Sequence, residues 1–194
     1  MYYPDWRALT IHESSPINRG VSPKLAREAR DYMPTQYLPA LPRGATFNGF
    51  RNENLEQQTF ADASFDLVIT QDVFEHLFRP DLAIREIART LKPGGAHVCS
   101  VPIVRKHQSS VRRASLTDDG SIVHHLEPQY HGNPVSADGA LVTVDWGYDV
   151  CGYLARQSGL DVAMVVVDNI DLGIRAEYLE ILVCRRSREP ALTL

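Results

Sequence analysis

Four polar residues crowd the end of a short apolar run. Leu67-Val68-Ile69 gives way to Gln71 and Asp72, and Glu75 and His76 follow within one turn of chain. A carboxylate, an amide and an imidazole so placed suit two tasks. Gln71 and Asp72 can hold a bound cofactor or acceptor through hydrogen bonds, and His76 can take a hydroxyl proton near neutral pH. A second set of histidines, His107, His124, His125 and His131, lies in a long stretch rich in turn formers, where His131, beside Tyr130, is the other candidate base. Near the start, Ser14, Ser15, Arg19 and the free N–H groups of the next helix can hold a carboxylate. No metal is expected, because the histidines show no paired spacing on a helix and no carboxylate or thiolate is placed with them.

The elements that must position these groups read as an alternation of strands and helices. Asp66 to Thr70 has the unbroken apolar run of a parallel strand covered on both faces, and in open α/β sheets the crevice beyond the strands' carboxyl ends binds ligands. Pro80 suits a first helical position, and Ile84, Ile87, Ala88 and Leu91 make one buried stripe. Lys92-Pro93-Gly94-Gly95 stops that helix and turns the chain into a strand at Ala96 to Val101, completing a βαβ crossover. Upstream, Ala8 to His12 predicts a first strand, Glu13 to Val21 a loop, and Ser22 and Pro23 the cap and first position of a helix. Leu25, Ala26, Ala29, Tyr32 and Met33 form that helix's apolar face. Downstream, Asp145 caps a helix from Trp146 to Ser158 that Gly159 ends. Val162 to Val167 and Tyr178 to Arg185 then form a closing hairpin, and the tail from Arg186 to Leu194 is expected to fray.

Phe65-Asp66-Leu67-Val68, Glu75-His76-Leu77, Glu86-Ile87-Ala88-Arg89 and Leu91-Lys92-Pro93-Gly94-Gly95 together resemble the class I S-adenosylmethionine-dependent methyltransferases of the type 11 group, over about Asn52 to Pro102. The resemblance implies a Rossmann-like, doubly wound α/β domain, mostly parallel with an antiparallel last strand. It spans residues 1–194 as one domain, with 103–143 an inserted lid or substrate loop. It also implies the cofactor S-adenosylmethionine and a methyl acceptor of the small-molecule or glycan type, methylated on oxygen or nitrogen. The family's first loop is glycine-rich, whereas His12, Ser14 and Pro16 occupy those places here. The cofactor contacts carried over are Glu13, Ser14, Ser15 and Arg19 from this loop and Gln36 in place of the ribose-binding acid. Asn54, with Leu55 beside it and Glu53 as the alternative, stands for the adenine-binding acid, and Gln71 and Asp72 complete the set. His76 or His131 is the base. Alignment supplies most of the acceleration when a sulfonium methyl is displaced in line, so few catalytic residues are required.

Composition bounds the remainder. A chain of 194 residues with 44% hydrophobic content can bury one core, and no apolar run is long enough to cross a bilayer. Met1 to Trp6 has no export signal, so a cytoplasmic enzyme is expected. The three cysteines read as reduced core thiols. A net charge of −4 with interspersed signs predicts neither a nucleic-acid nor a membrane partner. Only seven residues precede Ala8, so dimerisation covers that flank of the sheet or the chain is shortened, and Tyr2, Tyr3 and Trp6 are offered as a partner surface. Two rivals differ in kind. A methyltransferase-like module without catalysis would explain the missing glycines, and a nicotinamide dehydrogenase would need the phosphate-binding fingerprint that this first loop lacks.

Overall fold

A computed structural model describes residues 3–133 and 136–188. Its centre is an eight-stranded sheet built from β1 (Thr10–Ser14), β2 (Asp31–Gln36), β3 (Thr46–Phe47), β4 (Phe50–Asn52), β5 (Phe65–Gln71), β6 (Leu91–Ser100), β13 (Asp161–Val166) and β14 (Glu180–Arg185). The order is β13-β14-β6-β5-β1-β2-β4-β3. β4, β2, β1, β5 and β6 are parallel, while β3 runs antiparallel to β4 and β14 runs antiparallel to both its neighbours, β6 and β13. Helices α2 (Pro80–Thr90) and α3 (Val150–Ser158) cover one face, and α1 (Ser22–Glu28) lies on the other. This is the doubly wound, mostly parallel architecture expected, with its antiparallel end.

The alternation of β5 divides the two cores. Val68 points under α2 and α3 with Ile84, Ile87, Val150 and Leu154, whereas Leu67 and Ile69 meet Ile11, Leu25 and Ala96 beneath α1. The Lys-Pro-Gly-Gly turn has a steric cause. A Cβ on Gly95 would stand 2.9 Å from the carbonyl oxygens of Asp66 and Lys92, so only glycine lets β6 close on β5 there. Lys92 also pairs with Asp66 at 2.8 Å, and Asp66 accepts a hydrogen bond from the Thr10 N–H. The strongest part of the sequence pattern thus ties strands together at the end away from the crevice.

Several boundaries differ from the sequence reading. Ser22 is the first residue of α1 and not its cap, because its hydroxyl donates to Glu13. Tyr32 and Met33 lie in β2. Helix α3 starts at Val150, since Asp145 belongs to a short strand and pairs with Arg113 at 2.7 Å. Segment 103–143 is not an irregular loop. It forms β7 (Val111–Arg112), β8 (Ala114–Leu116), β9 (Ile122–His124), β10 (Tyr130–Asn133) and β11 (Ser136–Leu141), and β7 pairs with β12 (Val144–Asp145). Arg186 is docked, not frayed: its guanidinium donates to the carbonyls of Ala88, Arg89 and Leu91 at the end of α2. Residues 189–194 and Tyr2 fall outside the described region. Tyr3 and Trp6 are partly buried and pack against the core beneath α1. Among the described residues no helix is long and apolar enough to cross a membrane.

Cys99 and Cys184 meet in the core beside His97, as free thiols. Contact with Cys184 and burial push the Cys99 thiol pKa up, which keeps it protonated.

His12 is fully buried in β1 between Phe60 and Phe65, with Nε2 on the Thr35 hydroxyl at 2.9 Å. Burial first, and His97 second, push its pKa down from 6.5 to about 3. An unfolded chain therefore takes up a proton below 6.5 that the folded protein refuses until about 3. Stability falls as pH drops through that window. Between pH 6.5 and 5 this residue is expected to cost about 2 kcal/mol. Urea unfolding of the wild type and His12→Gln at both pH values checks it; equal slopes would exclude His12 as the source.

Candidate active site

The cavity opens where the topology directs it, at the carboxyl ends of β1, β2, β5 and β6, with a volume of about 750 Å³. Its floor is set by Glu13, the penultimate residue of β1. The carboxylate is fully buried, and it accepts hydrogen bonds from the Ser22 hydroxyl (2.6 Å), the Tyr32 phenol (2.5 Å) and the Gln71 amide (3.0 Å). Burial and the bond to Glu13 raise the Tyr32 pKa, so the phenol stays a donor. Three elements are thereby fixed to the end of β1.

The loop that follows carries Ser15, Arg19 and Gly20 along one wall. Ser15 adopts φ 58°, and its N–H donates to the Thr35 carbonyl at 2.8 Å. On the β2 side, Gln36 donates its amide to the Pro16 carbonyl at 3.2 Å, which leaves its oxygen free to accept. Tyr37 is 55% exposed at the rim, so it is not a core residue and offers an aromatic face. Gln71 and Asp72 line the middle, and Asp72 holds a left-handed conformation (φ 52°) with its carboxylate on the Ser100 hydroxyl at 2.9 Å. Left-handed non-glycine residues at a cavity wall are a mark of functional sites.

At the far end stand Glu75, His76 and His131. A 3-10 turn at Phe74–His76 aims the first two, and β10 brings the third. His76 Nδ1 contacts the Leu141 carbonyl at 2.9 Å, the two imidazoles meet edge to face at 5.2 Å, and the Glu75 carboxylate is 3.7 Å from His76 and 3.8 Å from His131. Those last two separations are ion-pair distances, too long for hydrogen bonds. Glu75 is 1% exposed and neither of its oxygens has a hydrogen-bond partner. This carboxylate raises the His131 pKa above its ordinary value, outweighing partial burial, and Asp72 and Asp145 add to the effect.

The structure therefore gathers Ser15, Arg19, Gln36, Gln71, Asp72, His76 and His131 around one cavity. Other expected contacts stand elsewhere. Glu13 lies beneath the wall with its carboxylate already occupied, and Ser14 is buried in β1. Asn54 does not line the cavity because its side chain turns back to accept from the Glu56 N–H, and Leu55 is packed in the core. Glu53 is engaged by Arg51 and Thr59. His125 bonds the Ser115 hydroxyl, His107 packs on Tyr148, and His124 lies exposed on β9. The group missed by the sequence reading is Glu75 as partner of both histidines. Its adjacency to His76 was visible, but the approach of His131 depends on a hairpin 55 residues away in sequence.

Residues 21–99 match a family model described as a methyltransferase domain. No curated protein matches the chain. Among solved structures, an S-adenosylmethionine-dependent methyltransferase from Mesorhizobium loti is 17% identical with a TM-score of 0.55, covering 94% of this chain and 93% of its own. One from Methanosarcina mazei is 14% identical with a TM-score of 0.53, covering 94% of both chains. The 1,6-didemethyltoxoflavin-N1-methyltransferase of Burkholderia thailandensis, solved with its substrate and S-adenosylhomocysteine, is 11% identical with a TM-score of 0.53 over 93% of this chain and 72% of its own. The chain has the fold that these methyltransferases share.

Removing one donor from the buried Glu13 carboxylate leaves an oxygen under-satisfied. Tyr32→Phe is expected to lower stability by about 2 kcal/mol in urea unfolding. A change below about 0.5 kcal/mol would show that the bond adds little.

Proposed function

We propose that this chain is a class I S-adenosylmethionine-dependent methyltransferase that methylates an oxygen or nitrogen of a small-molecule or glycan-type acceptor, a reading supported by its fold and its matched domain. The observation that carries the reading is the cavity at the strands' carboxyl ends, walled by cofactor-type polar groups on one side and by an imidazole pair on the other.

The residues present fit the cofactor. Arg19 supplies a guanidinium for its carboxylate, Ser15 a hydroxyl beside it, and the free Gln36 oxygen an acceptor for a ribose hydroxyl. Gln36 does this without charge, so the bond is weaker than one to a carboxylate. When bound, S-adenosylmethionine supplies a methyl group already activated as a sulfonium. The protein's own task is alignment and, for a hydroxyl or amine acceptor, removal of a proton.

That second task falls to His76 and His131, the proposed catalytic residues, with Glu75 behind them. Leu141 fixes the ring of His76, and Glu75 favours positive charge on His131. Either imidazole can take the acceptor's proton, with the Glu75 carboxylate beside it to balance the charge that forms. Val73, Leu77, Phe78 and Leu141 shield this end from water. An acceptor larger than a few atoms fits the remaining space beneath the β10–β11 hairpin.

Calorimetric titration with S-adenosylhomocysteine tests the reading. Saturable binding is expected, about tenfold weaker in Arg19→Ala; absence of heat at millimolar ligand would favour a non-catalytic module. With an acceptor found by screening with methyl-labelled cofactor, His76→Ala and His131→Ala are each expected to slow transfer by about 10² or more while leaving S-adenosylhomocysteine affinity within a factor of about three. Unchanged rates in both variants would remove these histidines from the chemistry.

A further inference from the structure

We propose that Glu75, His76 and His131 form a site for a divalent first-row transition ion of the zinc(II) type, at the acceptor end of the cavity. The inference rests on the proposed function only in taking that end for the acceptor's side. One ligand atom from each residue lies within 4.8 Å of the other two. A tetrahedral ion with bonds of about 2.0–2.1 Å holds its ligands roughly 3.3–3.4 Å apart, so adjustments on the order of an ångström close the cluster.

Three independent features converge on a cation. First, Glu75 is 1% exposed and both carboxylate oxygens lack a donor. A buried carboxylate without partners is costly, and a cation placed against it removes that cost. Second, the contact of His76 Nδ1 with the Leu141 carbonyl requires the proton on Nδ1, so Nε2 is the ring atom turned toward the cluster. Nε2 stands 3.7 Å from a Glu75 oxygen, a separation that two ligands of one small cation can close with a small shift. Passing the other ring N–H to a backbone carbonyl is how a metal-ligating histidine is usually held. Third, all three residues line the cavity, so an ion bound by two imidazoles and one carboxylate keeps open positions toward it. An acceptor oxygen can enter there. The nitrogen-rich donor set selects zinc over magnesium.

His97, Cys99 and Cys184 also converge, but all three are at most 2% exposed and sealed within the sheet core. They serve as the control.

The test is calorimetric titration of the chelator-treated full chain with Zn²⁺ and, separately, Mg²⁺, together with the visible spectrum of the Co²⁺ adduct. One Zn²⁺ per chain is expected, with no Mg²⁺ binding and no thiolate charge-transfer band in the Co²⁺ spectrum. His131→Ala and Glu75→Gln should each weaken Zn²⁺ at least about tenfold. Cys184→Ser should leave it unchanged. His131 lies on a partly exposed hairpin, so His131→Ala decides the matter even where Glu75→Gln fails to fold by circular dichroism. Absence of stoichiometric Zn²⁺ binding, affinity unchanged in His131→Ala, or a thiolate band would each overturn the site. S-adenosylhomocysteine is titrated in parallel. Its binding without Zn²⁺ uptake overturns the ion site alone, whereas Zn²⁺ uptake without its binding overturns the cofactor reading and leaves the ion site standing.

Discussion

One buried carboxylate organises the ligand-facing end of this domain. Glu13, one residue before the end of β1, is a charge taken out of water, and such a charge is tolerated only when donors surround it. The donors come from three places: Ser22 on α1, Tyr32 on β2 and Gln71 on β5. The bonds to Tyr32 and Gln71 fix β2 and β5, whose ends border the cavity, and the bond to Ser22 fixes the helix that follows the wall loop. Gln71 is held with its amide toward Glu13, Ser22 draws the start of α1 toward the sheet, and the loop between them must pass through Ser15 to Gly20 along the wall. Hydrophobic packing sets how far apart the layers lie, but it is non-directional. The directional bonds to Glu13 set where the loop runs.

A second constraint fixes the inserted segment. Thr143 is fully buried and spends its N–H and hydroxyl on the carbonyls of Glu75 and Leu77, while Arg112 donates to those of Leu77 and Phe78. These backbone carbonyls lie in and just after the 3-10 turn, and the insertion supplies their donors. His76 completes the junction through Leu141. The hairpin carrying His131 is therefore sewn to the same turn that carries Glu75 and His76, which is why residues distant in sequence meet within a few ångströms.

Much of the fold was legible because its determinants are local. The apolar run of β5, the stripe of α2, the Gly95 contact and the left-handed Gly159 that ends α3 each depend on a few neighbouring residues. The cavity lining was legible in part, since Ser15, Arg19, Gln36, Gln71 and Asp72 all border it. What escaped was set by long-range pairing. Ser22 looked like a helix cap until a buried carboxylate claimed its hydroxyl. Asn54 looked like a ligand contact until its own backbone turn claimed its side chain. Residues 103–143 lack periodicity because their strands are two to six residues long, too short to display an alternation.

The missing glycines of the first loop pose a physical question that the backbone answers in part. Glycine offers two things at such a turn: access to positive φ, and the absence of a side chain where a ligand must come close. Ser15 takes positive φ in spite of its Cβ, held there by its N–H bond to the Thr35 carbonyl, and Gly20 takes it without cost. Only the second benefit is given up. The wall therefore presents a hydroxyl where related loops present bare backbone, and a ligand must be met by side-chain donors and acceptors instead of by close approach to peptide groups. Arg19 and Gln36 stand on that same wall, and the loss of backbone contact is matched by a gain in side-chain polarity around the cavity.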